Sequence, residues 1–397
     1  MSLRVETVPG PGGPGIARRI SLWWGRWPLT QLAIVAAVIA LIWLLGHNTA
    51  VTMARVGITP GFGFLERPAN FEIGEAPIAF RAGDTYAWAI LAGLLNTLRV
   101  AVLGCVLATV LGVFLGVAGL SGNLLLAGLV RWYVEVVRNT PLLLQLFFWI
   151  AIAKSFPSPR QALSAFDSVF LTNRGVFVPG LVFHGVSAST LWLLGGLAVA
   201  FLAFVVSSWR RGRLDGRTFG LAAGATLAGV LLAFPLTGAG VTFDRPALAG
   251  FNIRGGYNLT PEFAALLTGL VVKFSATIAE IVRAGIQSVD RGQWEAAKAL
   301  GLHGGQIMRL VVLPQALRVI TPLTTSAYLD LTKDSSLAVA IGYPDLVSVI
   351  NTTANTTGQS LEALTLLIAI YLAINLSVSM AMNLYNRRVA LRGAARK

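Results

Sequence analysis

The residues whose side chains could do chemistry fall into two groups. The stretch from Gly292 to Pro314 places charged and polar residues, Glu295 among them, between two apolar segments. Other charged residues lie inside apolar segments, where a centred charge costs about 2.5–3.5 kcal/mol or more and is a functional candidate by default. These residues are Arg99, Lys273, Glu280, Arg283, Asp330, Lys333 and Asp334.

Three of these charged residues have a simple structural interpretation. Glu280 and Arg283 are three residues apart, so they are neighbours on one helix face and predict a self-neutralising pair. Lys273 is predicted to extend its long side chain towards a membrane interface.

The composition of the chain predicts a membrane protein. Of its 397 residues, 55% are hydrophobic and 12% are charged, against roughly 45–50% and 25% in soluble domains. Lys and Arg outnumber Asp and Glu by 31 to 17. Cytoplasmic loops of membrane proteins are rich in Lys and Arg. This excess of basic residues is therefore typical of the cytoplasmic loops of a membrane protein. No nucleic-acid partner is expected.

Eight segments are apolar and long enough, or nearly so, to cross a bilayer. A membrane helix needs about 20 mostly apolar residues, because the hydrocarbon offers no water to a broken backbone. The segments are Leu29–Gly46, Tyr86–Leu120, Leu142–Ser155, Leu181–Ser208, Phe219–Gly238, Phe263–Ile286, Leu313–Leu331 and Leu361–Tyr385. The third is short unless it extends back through 130–137. We predict an all-α, polytopic membrane protein with about eight transmembrane helices.

Basic residues predict the orientation of these spans. A tail, 1–28, precedes a signal-anchor helix, 29–46, and a basic tail, 389–397, ends the chain. With the first tail in the cytoplasm, each connection predicted on that side carries Lys or Arg, as the positive-inside rule requires. These basic residues are Arg18, Arg19, Arg26, Arg131, Arg138, Arg210, Arg211, Arg213, Arg217, Arg291, Lys298, Arg309, Arg387, Arg388, Arg392, Arg396 and Lys397. Both termini are then cytoplasmic, and segment 47–85 is periplasmic.

The polar stretch predicts a short cytoplasmic helix that needs a partner surface. Asp290 is placed to cap its N-terminus, and Gly301 to end it in the left-handed conformation. A helix of two or three turns is not stable alone. The small Ala296 and Ala297 beside the charged Glu295 suit a groove on another protein. The alternative is an amphipathic helix that lies on lipid headgroups.

No set of residues predicts an enzyme active site or a metal site. The histidines His47, His184 and His303 lack the spacing of metal ligands, and the single cysteine, Cys105, lies in an apolar run. The sequence has no GxxxxGK[ST] loop to bind phosphates, so the chain itself is not expected to bind ATP or Mg²⁺. An intramembrane enzyme and a passive channel are the alternative classes, and a channel does not explain a docking helix.

The polar stretch resembles the EAA loop of the membrane subunits of ABC importers. That pattern is EAA, three residues, Gly, nine residues and I-x-L-P. The matching residues are Glu295, Ala296, Ala297, Gly301, Leu313 and Pro314, with Val311 in place of Ile. The resemblance implies that the loop 287–309 docks into an ATP-hydrolysing subunit and transmits its closure to the spans. Pro314 is expected to interrupt the backbone hydrogen-bond ladder where the next span starts.

Further motifs extend the resemblance from about Tyr86 to Arg388. These motifs resemble segments of polar amino acid permeases and occur in the same order along the chain. They begin at Gly93 (GLLNTLRVAVLG), Arg138 (RNTPLLLQLFF), Ala279 (AEIVRAGIQSV), Leu331 (LTKDSSLAVAIGYPDL) and Asn355 (NTTGQ). The chain is similar to the larger permease subunit of general L-amino acid importers, including those for glutamate, glutamine, aspartate and asparagine. This implies a type I ABC importer permease fold over 86–388, in a bacterial inner membrane.

The resemblance also implies the partners. An ATPase dimer would bind ATP and Mg²⁺ and hydrolyse the ATP, so this chain is not expected to be an enzyme. A second permease subunit, either a paralogue or a copy, and a periplasmic amino-acid-binding protein would complete the importer. An importer of another small polar solute is the alternative.

The segment 329–336 is a candidate for contact with the transported amino acid. A zwitterion needs a donor for its carboxylate and an acceptor for its ammonium group. The segment supplies both, and the alternative is that its charges pair with one another and fix a bend. The candidate pathway residues are Asp330, Lys333, Asp334, Ser335 and Ser336, followed by Arg99 and Glu280.

Residues 156–260 form an insertion relative to smaller members of this family, which have a five-span core. The insertion holds two predicted spans joined by an Arg-rich connection. The chain is therefore expected to leave and re-enter the core on the outer side. We expect the insertion to be peripheral and to face lipid or a partner.

Overall fold

The structure is a computed structural model that describes residues 28–55, 57, 61–165, 168–185, 187–210 and 216–394. Most of the predicted N-terminal tail, Arg211 and Arg213, and the last three residues of the basic tail lie outside the described residues. The side chains of the basic residues from 387 onwards also lie outside them.

Helices make up most of the described chain. They are α1 Pro28–Arg55, α2 Tyr86–Ala118, α3 Leu124–Asn139, α4 Leu142–Ser155, α5 Ala188–Arg210, α6 Gly216–Leu236, α7 Pro261–Gln287, α8 Arg291–Ala299, α9 Gly304–Ile307, α10 Leu313–Asp334, α11 Leu346–Thr357 and α12 Ser360–Ala394. Among the described residues, five helical segments are long and apolar enough to cross a membrane, or six if α3 and α4 form one span. Shorter apolar helices lie within α5 and α6. The helical membrane fold is confirmed, with a number of spans close to that predicted.

The insertion contains short strands that the all-α prediction did not include. They are β1 Leu163–Ala165, β2 Val169–Thr172, β3 Gly175–Val178, β4 Gly180–His184, β5 Gly240–Asp244, β6 Ala247–Ala249, β7 Asn252–Arg254 and β8 Tyr257–Leu259. Strands β1, β2, β3 and β8 form one antiparallel sheet, while β4 pairs with β5 and β6 with β7. Because β3 pairs with β8, the chain leaves and re-enters the helical core at neighbouring points.

The predicted span Leu181–Ser208 was wrong at its start. Residues Gly180–His184 form β4, paired with β5, and α5 begins only at Ala188. Between them Gly185 adopts a φ of 67°, which turns the chain and favours glycine. A short apolar run does not by itself distinguish a strand from a helix.

The third predicted span is not straight. Residues 121–138, predicted as a loop, mostly belong to α3, and α3 meets α4 at an angle of 105°. The break falls at Thr140 and Pro141. A proline disfavours the helical conformation in the residue before it, and Thr140 is extended, with φ −94° and ψ 128°. The two helices therefore form one sharply bent segment.

Helix α7 is the centre of the bundle, and α2 packs along it. A side chain added at Gly112 would place its Cβ 2.7 Å from Ile278, and one added at Gly116 would lie 2.8 Å from the Ala279 carbonyl oxygen. Small residues at these positions therefore permit the close approach of the two backbones. The contacts advance in the same direction along both helices, so α2 and α7 are parallel.

Helices α4 and α10 run in the opposite direction to α7. At the end of α4, Lys154 pairs with Glu262 at the start of α7, with an N–O distance of 3.3 Å. At the start of α10, Ile320 packs against Gly285 near the end of α7. We call the end of the bundle with Glu262 and the strands the sheet end, and the opposite end, with α8, the α8 end.

The α-helical hydrogen-bond ladder is interrupted just before Pro314, as expected, but the helix does not end there. A single helical segment runs from Gly304 to Ile341. A π-helical turn, Met308–Val312, lies directly before α10. Proline lacks an N–H and clashes with the carbonyl group four residues earlier, and the wider π turn accommodates both effects.

Candidate functional site

The helix α8 has the length and the caps that its sequence predicts. The Asp290 carboxylate accepts a hydrogen bond of 2.7 Å from the Gly292 amide, which satisfies a free donor at the helix start. Gly301 ends the helix with a φ of 74°. The Leu302 amide donates to the Ala297 carbonyl over 3.2 Å, the pairing of a left-handed C-terminal cap. Both ends of α8 are therefore fixed by local hydrogen bonds.

The two faces of α8 differ in burial. Ala297 is 3% exposed and joins the core of the chain, and Trp294 packs against the same core. Glu295 and Ala296 are exposed, and Leu300 is 80% exposed. Within the described residues, Glu295 has no ion-pair partner. One face of α8 thus holds the helix on its own chain, and the other presents a carboxylate, a small side chain and an apolar side chain.

The remaining residues of the EAA pattern lie close to α8. Gly301, Leu313 and Pro314 are exposed. The Gln315 amide donates to the Gln293 side-chain oxygen over 3.3 Å, which joins α10 directly to α8. Since α8 also follows α7 after only three residues, a displacement of α8 acts on both of these helices.

The histidine of this loop has a local structural role. The His303 ring nitrogen accepts a hydrogen bond from the Gln306 amide over 3.3 Å, and the Gln306 side chain accepts one from the His303 amide over 3.2 Å. This reciprocal pair caps α9. Among the described residues, no three metal-ligating side chains converge.

Glu280 and Arg283 form the predicted pair. The Arg283 guanidinium donates to both Glu280 oxygens, over 2.9 and 2.5 Å. Because the pair is bidentate, each group neutralises the other inside the bundle.

Lys273 makes contacts that the sequence did not predict. Its ammonium group donates to the carbonyl oxygens of Arg138 and Thr140, over 2.9 and 3.4 Å. These carbonyls lie at the C-terminal end of α3, where no intrahelical donor is available. Lys273 therefore satisfies the backbone at the bend between α3 and α4.

Charged residues near the end of α10 lie next to this bend. Asp330 and Lys333 pair across 3.7 Å, and their side chains are 62% and 57% exposed. Asp334 is less exposed and interacts electrostatically with Lys273. Ser335 is buried and donates to the Thr332 carbonyl over 2.8 Å, while Ser336 is partly exposed. Exposed charges on a spanning helix require a polar neighbour or water.

Arg99 belongs to a separate cluster at the sheet end. It pairs with Glu75 at 2.8 Å, and its guanidinium lies 4.0 Å from the Phe263 ring centroid and 5.3 Å from that of Tyr257. The Thr260 hydroxyl donates to the second Glu75 oxygen. This cluster joins the segment before α2 to the end of the insertion, so the insertion is not wholly peripheral.

The predicted pathway residues are therefore not all brought together. Glu280 lies about 25 Å farther along α7 than Phe263, at about 1.5 Å per residue, so Arg99 and Glu280 do not meet. The sequence analysis also missed Glu75, since an acidic residue in a polar segment gives no specific signal. The fold places Asp334 near enough to Lys273 for their charges to interact, without an ion pair within 4.0 Å.

Together these features define a polytopic helical membrane protein. It has a bent helix pair in its core and a short, capped helix at one end that exposes one face. Several of the charged residues in its helices are paired, such as Glu280 with Arg283 and Asp330 with Lys333.

Comparison with known proteins identifies the family. The chain belongs to the binding-protein-dependent transport system inner membrane components, whose family model matches residues 108–391. The match includes α8 and most of the helical core.

Three relatives align with most of the chain. A putative amino-acid ABC transporter permease protein, YhdX, from Escherichia coli K12 is 47% identical, covering 91% of this chain and 94% of the relative. The general L-amino acid transport system permease protein AapQ from Rhizobium johnstonii is 42% identical, covering 91% of each chain. The glutamate/glutamine/aspartate/asparagine transport system permease protein BztB from Rhodobacter capsulatus is 40% identical, covering 91% and 93%.

Proposed function

We propose that this chain is the permease subunit of an ATP-driven importer that carries L-amino acids across the bacterial inner membrane. The observation that carries the proposal is the construction of α8. Ala297 anchors the helix on its own chain, while Glu295 and Ala296 remain exposed. Its three relatives are named as amino acid permeases, which supports amino acids as the transported class.

The exposed face of α8 is the surface for the ATPase dimer, which binds ATP and Mg²⁺ and performs the hydrolysis. When the ATPases close on ATP, α8 moves with them. This motion reaches α7 through the short connection and α10 through the contact of Gln293 with Gln315. The chain contributes coupling and a pathway, and it catalyses no reaction itself.

The α8 end of the bundle is cytoplasmic, as are both termini. Arg291, Lys298 and Arg309 are exposed at this end, in agreement with the positive-inside rule. The parallel direction of α2 and α7, with α10 and the α3–α4 pair reversed, is the arrangement that the eight-span topology requires. The sheet end then faces the periplasm and the amino-acid-binding protein.

The exposed charges of α10 mark the side of the bundle that meets the second permease subunit and the amino acid. Although Asp330 and Lys333 pair with each other, more than half of each side chain is exposed, and contact of these charged groups with lipid hydrocarbon carries a substantial cost. A water-filled path between two permease subunits removes that cost. The pathway therefore runs past Asp330, Lys333, Asp334 and Lys273.

Uptake by cells tests this function. A strain that lacks the gene for this chain is given back either the wild-type gene or an empty vector, and uptake of labelled L-glutamate, L-glutamine and L-lysine is measured. We expect the wild-type gene to restore energy-dependent uptake of at least one amino acid. Equal uptake of all amino acids by both strains, under conditions in which the wild-type chain is present in the membrane, would contradict the proposal.

A further inference from the structure

A cavity between α2, α3 and α7 contains charged residues that the coupling mechanism does not use. It lies towards the α8 end and has a volume of about 470 Å³, within the range of about 300–1,000 Å³ of small-molecule sites. Leu115, Gly116, Val130 and Val134 contribute its apolar wall. Its charged residues are Arg131, Glu135, Arg138, Glu280 and Arg283. We call this space the arginine cavity.

The charged residues from α3 share one face of that helix. Arg131, Glu135 and Arg138 follow one another at spacings of four and three residues, which places them side by side. All three are exposed in the isolated chain. Within the part of the chain that the structure describes, none of the three has a carboxylate–cation pair within 4.0 Å. The face therefore offers cationic and anionic groups to a ligand.

The remaining two charged residues of the cavity, Glu280 and Arg283, pair with each other. Glu280 and Arg283 form a bidentate pair, so their charges cancel. The groups left for a ligand are two guanidinium groups and one carboxylate, which together carry one net positive charge.

The position of Arg138 connects the cavity to the proposed pathway. The Arg138 carbonyl oxygen accepts a hydrogen bond of 2.9 Å from Lys273, and the Arg138 side chain lines the cavity together with Glu280. Lys273 in turn interacts with Asp334. A charged path therefore continues from the end of α10, past the α3–α4 bend, into the arginine cavity.

This set of groups suits a ligand that has two anionic groups and one ammonium group. An acidic amino acid has two carboxylates and one ammonium group, with one net negative charge. Arginine binds carboxylates through paired, charge-assisted hydrogen bonds, and a carboxylate accepts hydrogen bonds from an ammonium group. An anionic phospholipid without an amine would leave Glu135 unpaired, and a zwitterionic headgroup would leave one guanidinium group without an anion.

We infer that the arginine cavity binds an acidic amino acid on its way to the cytoplasm, with Glu135 on its ammonium group and Arg131 and Arg138 on its two carboxylates. This inference rests on the proposed import of amino acids. It deepens that proposal by naming a site and a preference for acidic amino acids.

Direct binding tests the site separately from transport. The complex of this chain with its second permease subunit and ATPases is placed in lipid nanodiscs without a binding protein. Equilibrium binding of labelled L-glutamate, L-glutamine and L-lysine is then measured for the wild type, Glu135→Gln, Arg131→Gln and Arg138→Gln. The matched controls are Glu66→Gln and Arg81→Gln, which are exposed and lie outside the cavity.

The wild-type complex is expected to prefer glutamate, and both controls are expected to bind like it. Glu135→Gln weakens glutamate and glutamine alike by about tenfold or more, because both carry the ammonium group. Of the two arginine variants, one weakens both ligands and the other weakens glutamate alone, because only glutamate has a second carboxylate. Arg138→Lys keeps the charge and loses the paired geometry, so its loss is smaller than that of Arg138→Gln.

Three results would overturn the inference. One is wild-type affinity in all the cavity variants, each checked for an unchanged thermal midpoint. Another is release of a bound phospholipid by these variants while glutamate binding stays unchanged, which would make the cavity a lipid site. A third is the absence of glutamate binding by the wild-type complex at millimolar concentration. If the complete assembly still imports amino acids in these cases, the proposed function stands and the site alone is rejected.

Discussion

Glu295 is the residue on which coupling depends most directly in this account. Its carboxylate is exposed on α8, and within the described residues it has no ion pair that would make it structural. Ala297, two residues later, is buried. The exposed carboxylate is therefore free for a partner.

Reversal of this charge is expected to uncouple the importer. In Glu295→Lys, a cation replaces the carboxylate at the ATPase surface, so ATP-dependent uptake falls to the background level while the chain remains in the membrane. Uptake and membrane-fraction content are the measurements. Glu66→Lys at the sheet end is the control for charge reversal. The ATPases are expected to co-purify with this variant. Normal uptake by Glu295→Lys would remove Glu295 from the docking surface.

The charges near the end of α10 give a second prediction at this scale. Lys333→Met and Asp334→Asn remove one charge each from the proposed pathway, so both are expected to lower transport with the complex still assembled. They also shift the amino acid concentration required for half-maximal uptake. Lys154→Met is the matched control, because Lys154 forms an exposed ion pair away from the pathway. An unchanged concentration dependence in both variants would make the segment structural.

In the proposed mechanism, α8 is the element that converts ATPase motion into movement of the spans. Its sequence places two alanines side by side, and the structure assigns them to opposite environments, with Ala296 exposed and Ala297 buried. The same substitution at each position therefore separates docking from internal packing.

Ala296→Trp is expected to prevent co-purification of the ATPases without a change in thermal stability, because the new bulk lies on the docking face. Ala297→Trp is expected to lower the thermal midpoint, since overpacking of a core costs about 1–3 kcal/mol. Co-purification and thermal unfolding of the solubilised chain are the measurements. Equal effects of the two substitutions in both assays would show that α8 does not have the two faces described.

The features of helices and strands that could be predicted from the sequence are those that depend on neighbouring residues. The caps of α8 at Asp290 and Gly301 follow from residue type and position, and the long spans follow from their apolar length. The strand β4 was missed because its apolar residues pair with β5, about 60 residues away in the chain. The π turn before Pro314 was missed because proline alone does not specify whether a helix stops or widens.

The whole molecule is arranged around α7, and its orientation in the membrane follows from the charge distribution. The proposed topology places Arg211 in the cytoplasm and residue 72 in the periplasm. Asn70 is a poor site for a probe because its φ is 57°, a conformation that a substituted residue adopts at a cost. Glu72 is exposed and close to it.

Cysteine accessibility tests this topology. In a Cys105→Ala background, Arg211→Cys is expected to resist a membrane-impermeant thiol reagent added to intact cells, and Glu72→Cys is expected to react. Both cysteines should react after the membrane is permeabilised, which controls for a buried thiol. Labelling of Arg211→Cys in intact cells would overturn the eight-span arrangement.

Which charged residues come together is a property of the whole fold, and the sequence predicts it only in part. The pair of Glu280 and Arg283 could be predicted because its partners are one helical turn apart. The contacts of Arg99 with Glu75, and of Lys273 with the carbonyl groups at the bend, depend on packing between distant segments. The arginine cavity was not predicted for the same reason. The sequence analysis assigned Arg131 and Arg138 to a cytoplasmic connection, whereas in the structure they lie on α3 and line a cavity with α7.

The central claim is that this chain couples ATP hydrolysis to amino acid import. Its most direct test is accumulation of labelled amino acid in proteoliposomes that contain the chain, its second permease subunit and the ATPases, with the binding protein supplied on the outer side. The account predicts that the internal concentration of amino acid rises above the external concentration only when ATP is present at the ATPases. Equilibration to equal concentrations without ATP would identify a passive channel and contradict the account, as would the absence of any accumulation by the complete assembly with ATP.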